Sequence, residues 1–359
     1  MYSYTQVDLN LTLSRASLVQ TVQRSFQYIG YYNRPLSSFL YIAILTLFFL
    51  LYVTVLARVK KGIFDRSFVW KVIFILVVTL VISYPAAFSY DFFNYMFTAK
   101  TVLLYHKNPY MVTPLMFAGV DPWLNFMRWT HLSSAYAPLW ILLSLVPYVL
   151  GFGYFILIMI NMKALIALFY LLSCLMIEKI LKKERAADAT YGLAMFALNP
   201  LIIVETLVSS HNDIVLVAFM LVSFWYLSHK DMIASWFWLS MSIAAKLMTL
   251  TLVPLYAIKP DKVLMFLAMM VGLTVAVIKR EFLPWYLVWV LPFVALDPNR
   301  KGVYSAFSIL SVGLLLSYVP YLYTGSYTTQ SQYLKTSIIF IAVVGSLVAF
   351  FASQVRFKK

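Results

Sequence analysis

Charge is scarce in this chain. Asp, Glu, Lys and Arg make up 11% of its 359 residues, where a soluble domain averages about 25%. A water-facing globular surface is excluded on that ground. Cysteine is scarcer still: Cys174 is the single one and lies inside an apolar run, so no intrachain disulfide forms and the residue reads as packing. No Walker A or Gly-rich loop is present, which removes the usual cradle for a nucleotide. The four His residues (106, 131, 211, 229) are scattered without a His-x-x-x-His spacing, a weak pattern for zinc. Short alternating segments of the outer-membrane-barrel kind are absent. So are internal repeats, low-complexity tracts and a cleavable signal peptide, residues 1–35 being mixed-polar.

What the chain has in excess is apolar length. It is 63% hydrophobic and 18% aromatic, with a mean hydropathy of +0.85. Apolar segments run roughly over 36–57, 71–89, 136–150, 154–178, 187–204, 213–228, 232–258, 262–278, 283–296, 302–323 and 336–352. Most approach the ~20 residues that cross ~30 Å of hydrocarbon as a helix. The fold class expected is an all-α polytopic transmembrane bundle of about 9–11 membrane segments, nine of them full crossings. Segment 136–150, with Pro138 and Pro147, is too short to cross fully. Segment 232–258, interrupted by Lys246 and Pro254, reads as a broken helix that crosses and folds back.

The net charge of +15 points to anionic lipid headgroups and not to nucleic acid, because the cations sit in short loops. Loops near 58–71, 179–185, 230, 259–262, 300–301 and 356–359 hold seventeen of the 28 Lys and Arg residues, which makes that side cytoplasmic by the positive-inside rule. The long loop 90–135, the turn 199–213, Lys246 and the stretch 278–286 then share the opposite side. Residues 1–35 land there too, which calls for either an upstream helix or translocation of the N-terminal tail. The expected division is 1–70 as an N-terminal segment with an added helix, 71–300 as the core, and 301–359 as C-terminal helices. Within loop 90–135, segments 90–106 and 121–131 read as short amphipathic helices at the interface, with Trp123, Phe126, Met127 and Trp129 packing on the membrane surface.

A few polar residues resist that apolar background. Asp91 stands at the end of an apolar run among aromatics, in "SYDFFNYMFTAKTVLLYHKNPY" (89–110). Its plain reading is a water-exposed helix end or a cap. An aromatic-walled cleft would also raise a carboxylate's pKa and make it a better proton acceptor. Glu205, His211, Asn212 and Asp213 cluster in "NPLIIVETLVSSHND" (199–213), either as a polar turn or as groups for a phosphate or a sugar hydroxyl. Lys246 lies within an apolar run, where a cation marks a functional site unless it snorkels. Lys163, with no polar neighbours in sequence, reads as packing or snorkelling. "KREFLPWY" (279–286) places Arg280 before Trp285 and Tyr286. One carboxylate, several cations and aromatic faces suit a reaction that expels a phosphate from a sugar.

These stretches, with "SSAYAPLW" (133–140), "AAKLMTLTLVPL" (244–255) and "FLPWYLVWVLP" (282–292), occur in an order that resembles the GT-C superfamily of membrane glycosyltransferases. The resemblance is closest to bacterial polyprenyl-phosphate-mannose-dependent mannosyltransferases and more distant to the GPI-anchor mannosyltransferases. It spans roughly residues 85–295. It implies Asp91 as the catalytic base and Lys246, His211 and Arg280 near the donor phosphate. Asn94, Tyr136, Asn212, Asp213, Glu205, Trp285 and Tyr286 would then bind sugar or acceptor. It also implies a polyprenyl-phosphate sugar donor, inversion at the anomeric carbon, and a glycolipid or glycan acceptor outside the cytoplasm, at the plasma membrane. Many members carry a paired acidic motif in this loop; here no second carboxylate adjoins Asp91, so no cofactor is expected and a divalent metal is not indicated. A transporter or flippase for a lipid-linked saccharide is the alternative, which would show matching broken helices in two halves. A non-catalytic scaffold would leave Asp91 dispensable.

Overall fold

A computed structural model of the chain describes residues 1–258 and 261–356. Among them every regular element is helical. Five helices are long and apolar enough to cross a membrane unaided: Arg34–Lys60, Phe155–Glu184, Lys262–Lys279, Lys301–Thr324 and Thr329–Gln354. A sixth span is bent by 49° where Ala186–Ala197 gives way to Pro200–Val208. The nine full crossings expected are therefore not all continuous. Pro138–Val149, Asp213–Ser228, Met232–Ala245, Leu247–Ala257 and Pro284–Leu296 are shorter apolar helices. Irregular backbone at membrane depth persists only where it is buried in protein or lines a wet cavity.

The breaks fall where local chemistry puts them. Pro200 has no N–H to continue the preceding helix, and Asn199 caps the new start, its Oδ1 accepting from the Leu201 N–H at 2.9 Å. Lys246 is extended (φ −166°, ψ 133°) between Met232–Ala245 and the 3₁₀ turn Leu247–Leu252, as Lys246 and Pro254 suggest. Leu283 leads into a 3₁₀ turn that has Pro284 as its first residue. Elsewhere small residues allow close packing, since a Cβ on Gly313 would collide with Ala342 between the Lys301–Leu316 and Thr329–Arg356 helices.

Two ends of the bundle are chemically distinct. At one end Arg66 and Lys182 pair with Glu178, Arg185 with Asp297 (2.7 Å), and Lys183 donates to the Ser228 carbonyl. The basic loops identified from the sequence thus gather together. Of these, the loops 259–262 and 356–359 lie in part outside the described residues. At the other end lie loop 90–135, the turn after Val208, Lys246 and residues 280–286. The N-terminal segment packs there as well: Asp8 faces Arg128 (3.5 Å), and Asn10 donates to the Asn125 carbonyl (3.1 Å).

Three expectations require correction. Segment 90–106 does form a helix, Asp91–Leu103, but Phe92, Phe93, Tyr95, Met96 and Phe97 are buried, so it is an interior element and not an interfacial one. Segment 121–131 holds only the 3₁₀ turn Pro122–Asn125. Phe126 and Met127 are buried and Phe126 packs edge-on to Phe93, while Trp129 alone of the four is exposed. A buried ion pair organises this loop: Lys100 Nζ lies 2.6 Å from Asp121 and 4.1 Å from the centroid of Trp123, and Tyr105 donates to the same carboxylate at 2.9 Å. Lys163, finally, does not snorkel. It is 1% exposed and donates to Ser83 Oγ (3.0 Å) and the carbonyls of Leu207 (2.8 Å) and Val208 (2.9 Å).

Candidate active site

Asp91 is the first residue of the Asp91–Leu103 helix. A carboxylate there is favoured by the helix dipole, and its own N–H is taken by Ser89 Oγ (3.3 Å). The residue is half-buried. Burial holds its carboxyl above the ordinary carboxylate range, opposed by the positive fields of His211, Lys246 and Arg280 and reinforced by Asp213. The acid, the imidazole and the two cations therefore share one electrostatic environment, although they come from four separate parts of the chain. Asn94 follows one turn later on the same helix, with its Oδ1 buried and unpartnered. Tyr136, half-buried, reaches the Asp91 carbonyl through its hydroxyl (3.5 Å).

The facing wall begins at the start of Asp213–Ser228. Asp213, 1% exposed, receives Lys246 Nζ at 2.6 Å and the indole N–H of Trp289 on the same Oδ1, which leaves Oδ2 without a partner. Lys246 also lies over the Trp289 ring, 5.3 Å from its centroid. Its side chain keeps 31% exposure, so the ammonium is held in place yet reachable. Asn212 meets the Tyr95 hydroxyl at 3.4 Å. Trp285 stacks on the His211 imidazole (centroids 4.1 Å apart, 22° between planes), and Tyr286 stacks on Trp289 (4.5 Å, 24°). Arg280 is exposed at the end of Lys262–Lys279 and makes no ion pair among the described residues.

Glu205 occupies a different place from the rest. It is 0% exposed and stands behind His211, with its Oε2 3.0 Å from Nδ1 and its Oε1 accepting from the Tyr318 hydroxyl at 3.1 Å. Burial opposes charge on His211, but Glu205, with Asp91 and Asp213, outweighs that and holds its pKa above the ordinary histidine value. Trp289, Tyr95 and Tyr318 were not singled out by sequence. Trp289 had a signal, lying four residues after Trp285 in one aromatic stretch; Tyr318 had none. Among the described residues no group of three or more His, Cys, Asp or Glu side chains is arranged to hold a metal ion. A cavity of about 530 Å³ lies at the other end of the bundle, lined by Phe224, Phe266 and Phe293 with Lys230 and Arg300.

Comparison with known proteins decides the class. The profile of the MptA_B family, described as alpha-(1->6)-mannopyranosyltransferase, N-terminal domain, matches residues 12–260. The chain belongs to this family. It is a membrane mannosyltransferase of GT-C type. No curated protein and no solved structure matches it. The match starts at residue 12, so it takes in the N-terminal segment and the Arg34–Lys60 helix, which the motifs read from the sequence left out. It ends before Arg280, Trp285, Tyr286, Trp289 and Tyr318, so one wall of the candidate site lies beyond the matched region.

Proposed function

We propose that this mannosyltransferase moves mannose from a polyprenyl-phosphate carrier to a hydroxyl of a glycolipid or glycan acceptor, with inversion at the anomeric carbon. The observation that carries the reading is the convergence of one half-buried carboxylate, Asp91, with His211, Lys246 and Arg280. Asp91 accepts the proton of the acceptor hydroxyl as its oxygen attacks C1. The C1–O bond to the carrier phosphate breaks, and the electron pair leaves with the phosphate. Lys246, His211 and Arg280 stabilise the charge that grows on it. Asn94, Tyr136, Asn212, Trp285 and Tyr286 line the sugar and acceptor side, where rings stack on aromatic faces. The oxygens of Asn94 and Asp213 that the protein leaves unpartnered are free to accept from sugar hydroxyls. No step is routed through a metal ion.

The concentration of basic loops at the opposite end supports an extracytoplasmic site at the plasma membrane, by the positive-inside rule. The polyprenyl chain lies along the bilayer-facing surface between helices. The test is transfer from radiolabelled polyprenyl-phosphate mannose by protein reconstituted in vesicles. Asp91→Asn is expected to abolish transfer while thermal stability and donor binding persist. Turnover equal to wild type in that variant removes Asp91 from the chemistry.

A further inference from the structure

We propose that Glu205 and Tyr318 are positioning residues that hold His211 as an imidazolium, with Nε2 left free for the leaving phosphate. The inference deepens the assignment of His211 to the donor phosphate and rests on that reading. Its basis is geometric. The His211 ring is fixed on one face by Trp285 and through its backbone N–H by the Glu205 carbonyl (2.9 Å). Its Nδ1 lies at ion-pair distance, 3.0 Å, from Glu205 Oε2 without hydrogen-bond alignment, and Nε2 is likewise buried without a protein partner. Glu205 makes no other ion pair among the described residues, and an uncompensated carboxylate at 0% exposure is costly. A carboxylate beside one imidazole nitrogen sets the tautomer and charge of the ring and directs the other nitrogen to the ligand.

The remaining groups facing the pair are accounted for. Tyr318 donates to the Glu205 oxygen that His211 leaves (3.1 Å). It is backed by Phe88, stacked at 5.0 Å. Tyr41 lies near the same carboxylate but gives its hydroxyl to the Leu315 carbonyl (2.8 Å). Asp91 and Asp213 face the imidazole from the site side, and Lys246 is committed to Asp213. Glu205 is thus the one carboxylate in ion-pair contact with His211 among the described residues, and Tyr318 fixes its other oxygen by a hydrogen bond.

The consequence is a specific pH signature. The imidazolium is the active form, so turnover falls as pH rises through the His211 pKa. Removing the Glu205 charge lowers that pKa and moves the alkaline limb to lower pH, by about one unit or more for loss of a close buried carboxylate. The experiment measures kcat for mannosyl transfer from about pH 5 to 9 in wild type, Glu205→Gln, Tyr318→Phe and His211→Gln. Glu205→Gln is expected to approach wild-type rate at the acid end and to lose it early on the alkaline side. Tyr318→Phe, which removes one hydroxyl and leaves the fold intact, is expected to shift the limb in the same direction by less. A uniform drop in rate for Glu205→Gln, or an alkaline limb that stays in place in both variants, overturns the inference. Should Glu205→Gln not fold, Tyr318→Phe decides alone. Wild-type turnover in His211→Gln overturns instead the donor-phosphate reading beneath it, so the two failures are distinguishable.

Discussion

Replacing Lys163 by Met tests whether an amine sealed inside the bundle sets the geometry of the site. The Lys163 amine, 1% exposed, ties three segments of the chain together. Ser83 belongs to the segment leading to Asp91, while the carbonyls of Leu207 and Val208 close the turn leading to His211. No carboxylate pairs with Lys163 among the described residues, so its stability rests on those hydrogen bonds. Met matches the stem but donates nothing. The two carbonyls then lose a buried donor at ~1–3 kcal/mol each. The expected loss is about 3 kcal/mol. The site suffers more than the fold, because a displacement of about 1 Å in a catalytic group costs on the order of a hundredfold in rate. Cys174, the only thiol and 0% exposed, provides the stability assay, since a thiol-reactive fluorophore labels it only on unfolding. A thermal midpoint unchanged from wild type together with kcat within about twofold would refute the argument that Lys163 holds the two arms in register.

Three further outcomes follow from the same contacts. The acid limb of the pH–rate profile should lie above the ordinary carboxylate range, because the proposed base Asp91 acts in its ionised form and burial raises its pKa; Lys246→Met removes a nearby positive charge and should move that limb to still higher pH, read from kcat against pH. Lys100→Met strands the Asp121 carboxylate, whose side chain is 0% exposed, and should cost ~3–5 kcal/mol in the same thiol-labelling assay. The double variant Lys100→Met/Asp121→Leu should recover part of that loss, since no charge remains buried.

The sequence revealed the apolar segments and the break at Lys246, because helix length and proline chemistry are written locally. The cost of placing charge near lipid drew attention to Asp91 and Lys246, and the polar turn 199–213 to His211; the structure brings the three near one another. The architecture behind them was not legible. Glu205 and Tyr318 are 113 positions apart, Asp213 and Trp289 are 76 apart, and Lys163 reaches across 80 to Ser83. Pairings of that kind leave no periodic trace. Loop 90–135 misled for a related reason: aromatics that would suit a membrane surface are equally suited to an interior, and the Lys100–Asp121 pair that draws them inward is invisible until the chain is folded.

The wall carrying Trp285, Trp289 and Tyr318 comes after the family-matched stretch, yet it supplies the indole that holds Asp213 and the phenol that holds Glu205. A chimaera joined near residue 260 would therefore inherit charges from one parent and their keepers from the other. Exchanges of substrate preference between relatives should succeed only when both halves travel together, whatever the similarity of their leading portions.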